Sequence, residues 1–171
     1  MMTIFSKNVL VYINFSHINL HEPYKIKSYP VPFSRCPAVQ HEIDKMLDWQ
    51  IIERSDSHYN NPLVTVIKAD GSIRLCLDAR KLNTVILPTR DASPPIDDIL
   101  AKFNNKNIFS FLDFSSGYWQ SPLDPSVRQY TNILYDRRSY QFCIVFFGLN
   151  VSNAAIGKGL EVTFVNLAAI M

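Results

Sequence analysis

Glycine is scarce in this sequence, at five of 171 residues, and proline outnumbers it two to one. A chain so composed has many extended entries and few places for left-handed turns. The three cysteines, Cys36, Cys76 and Cys143, are odd in number and show no Cys-x-x-Cys spacing. That argues against a disulfide framework and against a structural zinc site, and it fits the reducing interior of a cell, cytoplasmic or nuclear. The four histidines form no metal-ligand pattern beyond a chance His-x-x-x-His at 17 and 21. The net charge is only +2, so no bulk basic field marks the chain as a nucleic-acid binder. No apolar run reaches the ~20 residues that span a bilayer, and residues 9–13 (Val-Leu-Val-Tyr-Ile) read as part of an extended lead-in with no membrane partner. Gly-x-x-x-x-Gly-Lys-Ser/Thr and Gly-x-Ser-x-Gly are both missing, which sets aside P-loop and serine-hydrolase chemistry.

What is present is globular material, 47% hydrophobic, of a length suited to one domain. Residues 22–37 form a proline-rich extended connector. Val39, Ile43, Met46 and Leu47 recur at helical spacing opposite Glu42, Lys45 and Asp48, and predict a helix over 37–50. Ile51 and Ile52 close that segment, and 55–61 is polar turn material. Residues 62–68 and 73–78 read as two strands joined by Ala69-Asp70-Gly71-Ser72, whose Asp-Gly pair marks a tight hairpin. Residues 83–95 are turn-rich. Pro95 opens a short helix with Ile96, Ile99, Leu100 and Phe103 on one face and Asp97 and Asp98 in its first turn, where carboxylates suit the helix dipole.

An apolar strand over 107–114 runs into Asp113, followed by the turn Ser115-Ser116-Gly117 and the aromatic pair Tyr118-Trp119. Taken alone, Asp113 is either a turn-forming aspartate or a rigidly held metal ligand. The runs 128–135 and 140–147 read as a second hairpin about a turn at 136–139, and 151–160 as a small-residue helix. This order of elements indicates an α+β fold. A local surplus of cations over 68–90, including Lys68, Arg74 and Arg80, suits either a phosphate-bearing ligand or a solvated hairpin face.

Five blocks in order carry a resemblance. They are Glu42 to Leu47 with Ile51-Ile52-Glu53 and Asn61-Pro62-Leu63-Val64; Lys68 to Asn83; Pro95 to Leu100; Phe109 to Gln120; and Tyr140-Gln141-Phe142 with Phe147-Gly148-Leu149-Asn150. Together they resemble the reverse transcriptase domain of Ty3/gypsy-class long-terminal-repeat retrotransposon Pol polyproteins. The resemblance covers 19–160, after a lead-in at 1–18 and before an off-pattern tail at 161–171.

It implies the fingers and an incomplete palm of a right-hand polymerase, built of antiparallel hairpins with packed helices. Such an enzyme joins a dNTP to a primer 3′-hydroxyl on an RNA or DNA template, and two metal ions, Mg²⁺ or Mn²⁺, hold the attacking and leaving oxygens. By the resemblance Asp113 is a catalytic aspartate and metal ligand, with the backbone carbonyl of Phe114 as a further ligand. Lys68 and Arg74 would reach the triphosphate, Tyr118 would exclude a 2′-hydroxyl, and Phe147 and Gly148 would floor the pocket.

The match has gaps. The family's other two catalytic aspartates stand in a downstream Tyr-x-Asp-Asp, which this sequence does not contain. Phe146 replaces a usual proline, Tyr130-Thr131-Asn132-Ile133 a usual Lys-Thr-Ala-Phe, and Ser152-Asn153-Ala154-Ala155 a usual Asn-Ala-Pro. The expectation is a stretch inactive as a polymerase by itself, with unpaired edges along 109–114 and 141–147 and a need for a partner chain to complete the palm. The alternative reading is a non-catalytic remnant that binds nucleic acid or another protein.

Overall fold

The computed structural model describes residues 22–86, 96–101, 104, 119, 121–152 and 157. The expected strand at 107–114 lies outside them, as do most of the expected 151–160 helix and all of the lead-in and tail.

A short 3₁₀ turn, Phe33–Arg35, leads into helix α1, Cys36–Asp48. Pro37 occupies its first turn, where a missing N–H costs nothing. Val39, Ile43 and Met46 form the buried stripe, so the periodicity is expressed as expected. The helix stops in a Schellman arrangement. Gln50 takes φ 56°, Ile51 N–H donates to the Met46 carbonyl at 2.9 Å, and Gln50 N–H donates to that of Leu47 at 2.9 Å. That reversal drives Ile51 and Ile52 into the core, each 1% exposed.

Two sheets follow. Strands β2 (Leu63–Ile67) and β3 (Ile73–Leu77) pair antiparallel with Ile67 opposite Ile73. Lys68 N–H reaches the Ser72 carbonyl, Gly71 N–H reaches that of Lys68, and Gly71 takes φ 79°, a three-residue loop with glycine in the left-handed position. Asp70 locks the turn by accepting from Ser72 N–H at 2.9 Å. The second sheet has the order β1-β5-β4, all antiparallel, with β1 at Ile52–Arg54, β4 at Ile133–Tyr135 and β5 at Arg138–Phe142. Helix α2 (Arg80–Val85) follows β3 directly, α3 covers Ile96–Ala101, and α4 covers Pro125–Arg128.

Several expectations need correction. Ile52 to Arg54 is a strand rather than the end of a helical segment, because its partner, 140–142, is remote in sequence. The turn-rich reading of 83–95 overlooked α2, whose Leu82 is fully buried. The strand expected over 128–135 is helical as far as Thr131. Asp124 caps α4 by accepting from Ser126 N–H at 2.9 Å, Pro125 stands in the first turn, and a 3₁₀ turn at Gln129–Thr131 extends it. The β4–β5 hairpin turns on Asp136 and Arg137, with φ 44° and 61°, as a two-residue primed turn requires.

The run 141–147 does not carry the unpaired edge expected of it. β5 lies between β1 and β4, and beyond it Cys143 N–H donates to the Ile51 carbonyl, Leu123 N–H to that of Cys143 and Val145 N–H to that of Ser121. The other run, 109–114, falls outside the described residues.

The sheets meet through Asn61, which has no exposed surface. Its carboxamide accepts from the Tyr24 hydroxyl at 2.8 Å and donates to the carbonyls of Tyr130 at 2.8 Å and Asn132 at 3.0 Å. Every polar atom of this side chain is thus used at a junction closed to water. Asn61→Ala takes this partner from the Tyr24 hydroxyl and the Tyr130 carbonyl, while the Asn132 carbonyl keeps the backbone N–H of residue 61, and we expect it to lower unfolding free energy by about 1–3 kcal/mol in urea denaturation.

Candidate functional site

The β2–β3 hairpin presents two cations on its exposed face, Lys68 at the start of the turn and Arg74 on β3. Among the described residues neither is ion-paired. Both line a cavity of about 260 Å³ closed by Glu42 and Met46 of α1, by Trp119, and by Phe142, Phe146 and Phe147. The Arg74 guanidinium stands 5.3 Å from the centre of the Phe147 ring, a cation–π distance. Cys76 also borders this cavity; burial pushes its thiol up, and the charge of Arg74 opposes that shift. A larger groove of about 640 Å³ lies elsewhere, among Tyr29, Phe33, Leu134 and Tyr135, and contains no basic side chain.

Phe147 and Gly148 form a turn held by side chains on both sides. Gly148 has φ 97°, a left-handed conformation that favours glycine, although a Cβ there would meet nothing within 4 Å. The Ser152 hydroxyl, buried, donates to the Phe146 carbonyl at 2.9 Å. From α2, the Asn83 carboxamide donates to the Gly148 carbonyl at 2.7 Å and accepts from Asn150 N–H at 3.0 Å.

Lys68, Arg74 and Phe147 are therefore brought together, with Gly148 next in the chain. Asp113, Phe114 and Tyr118 lie outside the described residues. Among the described residues no three His, Cys, Asp or Glu side chains gather to hold a metal ion. Nor, among them, is any helix long and apolar enough to cross a membrane. Sequence reasoning gave no site role to Asn83, Ser152, Glu42 or Trp119. Asn83 closes the fingers block, and that position was the available signal.

No protein-family model matches the sequence. The Retrovirus-related Pol polyprotein from transposon 412 of Drosophila melanogaster is 32% identical over 149 residues, 84% of this chain and 12% of that protein. The corresponding polyprotein from transposon gypsy of the same organism is 32% identical over 147 residues, 82% of this chain and 14% of that protein. This chain is homologous to Ty3/gypsy-class retrotransposon Pol polyproteins. It spans a small part of their length.

Its fold is that of a reverse transcriptase. Prototype foamy virus protease-reverse transcriptase superposes with a TM-score of 0.73 at 23% identity, over 91% of this chain and 22% of the viral one. The foamy viral enzyme in complex with RNA/DNA hybrid gives 0.69 at 18% identity, over 92% and 23%.

The departures from the reverse transcriptase pattern have packing reasons. Phe146 is 4% exposed and lies 4.7 Å from the Phe142 ring. Tyr130 meets Tyr59 edge-on at 4.9 Å, and Ile133 has no exposed surface. Phe146 and Ile133 belong to the buried core, and Tyr130 packs against it partly buried.

Between β3 and α2, the Asp78 carboxylate accepts from Arg80 Nη2 at 2.6 Å, from Arg80 Nε at 2.9 Å and from the Tyr29 hydroxyl at 2.9 Å. The Arg80 hydrogen bonds hold the carboxyl at about 2, against an ordinary 3.8. A carboxyl depressed on folding adds stability above its unfolded value, and that contribution is lost as pH falls through the folded one. Wild type should therefore exceed Asp78→Asn in urea resistance near neutrality. The gap should close between pH 3.8 and about 2, as urea midpoints across that range will show.

Proposed function

We propose that the hairpin cations and the Phe147–Gly148 turn form the fingers-side wall of the nucleotide pocket of a retrotransposon reverse transcriptase. The carrying observation is the convergence of Lys68, Arg74 and Phe147 on one cavity. Polyphosphate groups are recognised by fixed cations at hydrogen-bonding range, and the exposed hairpin turn can lay both over a triphosphate. The Phe147 ring offers an apolar face beside them for the nucleoside.

Asp113 and the Phe114 carbonyl are the metal ligands in this reading, and Tyr118 excludes a 2′-hydroxyl. Bound Mg²⁺ or Mn²⁺ would supply charge stabilisation for nucleotidyl transfer. The partners are a dNTP and a primed RNA or DNA template, in line with the foamy viral enzyme's complexes with ds DNA and with RNA/DNA hybrid. One acid does not hold two ions, and the sequence has no Tyr-x-Asp-Asp to add the others. The 171 residues taken alone thus bind nucleotide without extending a primer, and a further chain or segment supplies the remaining acids.

Titration with dTTP, followed by tryptophan fluorescence because Trp119 borders the cavity, tests the pocket. Lys68→Ala with Arg74→Ala should weaken binding by about tenfold or more, since hydrogen bonds to charged groups contribute about 1.5–3 kcal/mol each. Unchanged affinity in the double variant overturns the reading. So does primer extension by the wild-type chain on a primed RNA template that Asp113→Asn abolishes, as regards the missing acids.

A further inference from the structure

We propose that Asn83 is a positioning residue that ties the nucleotide-facing turn to the fingers hairpin; this rests on the pocket reading above. Its carboxamide is matched to the turn atom for atom. Nδ2–H₂ donates to the Gly148 carbonyl and Oδ1 accepts from Asn150 N–H, at 2.7 and 3.0 Å. One amide side chain thus spans the residue after Phe147 and the second residue beyond it.

The other end of the connection is rigid. Asn83 stands on α2, which begins two residues after Asp78, and its own backbone N–H donates to the Ala79 carbonyl at 2.7 Å. Leu82, its neighbour, is fully buried. Asp78 N–H in turn donates to the Pro62 carbonyl, at the entry to β2. The path from hairpin to turn is therefore short and hydrogen-bonded throughout: β2–β3, Asp78, α2, Asn83, Gly148. On the far side Ser152 holds the same turn through the Phe146 carbonyl. On that side the turn is also anchored at Leu149, which is buried and whose carbonyl accepts from Ser152 N–H at 3.1 Å. Asn83 adds the restraint from the hairpin side, at Gly148 and Asn150, and it sets where the Phe147 ring stands relative to Arg74, now 5.3 Å away.

This assigns the contact a specific consequence. The cations stay on the hairpin whether or not the turn is held, so phosphate attraction survives loss of Asn83, while the apolar face for the nucleoside is displaced. A general loss of fold would weaken both alike. Asp at this position keeps the acceptor for Asn150 N–H but sets a carboxylate against the Gly148 carbonyl, and alanine removes both bonds.

The test uses the whole chain with two probes, dTTP and inorganic tripolyphosphate, together with hydrogen exchange at the Asn150 amide. For Asn83→Ala we expect about tenfold weaker dTTP binding, less than about twofold change for tripolyphosphate, and faster Asn150 exchange. Asn83→Asp should protect Asn150 partly and lie between the two in dTTP affinity, and it serves if the alanine variant fails to fold. Unchanged Asn150 exchange shows that the clamp does not form and overturns the inference. Faster exchange with unchanged dTTP affinity, or equal losses for both probes, overturns the positioning role. A wild-type chain that binds tripolyphosphate but not dTTP, or neither, refutes the pocket reading itself and with it the role of Asn83 in nucleotide binding, whatever the exchange result.

Discussion

The structure depends on the hydrogen-bonded burial of one segment, residues 140–146. Its first part, in β5, is paired on both edges, and its continuation is paired with Ile51 and with 121–123. Tyr140, Phe142, Val145 and Phe146 are at most 4% exposed, so the segment is also the axis of the apolar core. Backbone groups removed from water must find partners, and here they find them in pieces of chain far apart in sequence. Helix α1 packs above, the β2–β3 hairpin lies alongside, and the Phe147–Gly148 turn emerges from its end. The placement of that turn against the hairpin cations is a consequence of this pairing.

Local chemistry made much of the fold legible. The α1 stripe followed from spacing at Val39, Ile43 and Met46, and the first hairpin followed from Asp70-Gly71 between alternating strands. What escaped was non-local. Three residues, 52–54, become a strand only because 140–142 lies beside them, and no local signal carries that. The 141–147 run was expected to carry an unpaired edge because the palm pattern is incomplete, and its partners, Ile51 and Ser121 to Leu123, carry no local signal of that pairing. The α4 miss was different in kind: Asp124-Pro125 is a readable helix start, overridden by the β-rich look of 130–135.

The candidate site divides along the same line. Lys68, Arg74, Phe147 and Gly148 were named from ordered motifs resembling a polymerase, and the fold brings the first three to one cavity. Asn83 could not be assigned its contact, since the atoms it bonds lie 65 and 67 residues away. Tyr130, Ile133 and Phe146 depart from the motif, yet Ile133 and Phe146 are buried and Tyr130 packs against the core. A segment can thus hold its packing while single positions drift from the family pattern. Homology to Ty3/gypsy-class Pol polyproteins and a reverse transcriptase fold agree with one another, and the cationic cavity carries the nucleotide-binding proposal.

Amide chemical-shift mapping on the isotope-labelled chain during dTTP titration addresses the central claim most directly. The account predicts saturable shifts confined to the hairpin turn around Lys68 and Arg74 and to the turn from Phe147 to Asn150. The apolar groove around Tyr29, Phe33 and Leu134 should stay silent. Saturable shifts centred on that groove, or none at the two turns, would contradict it.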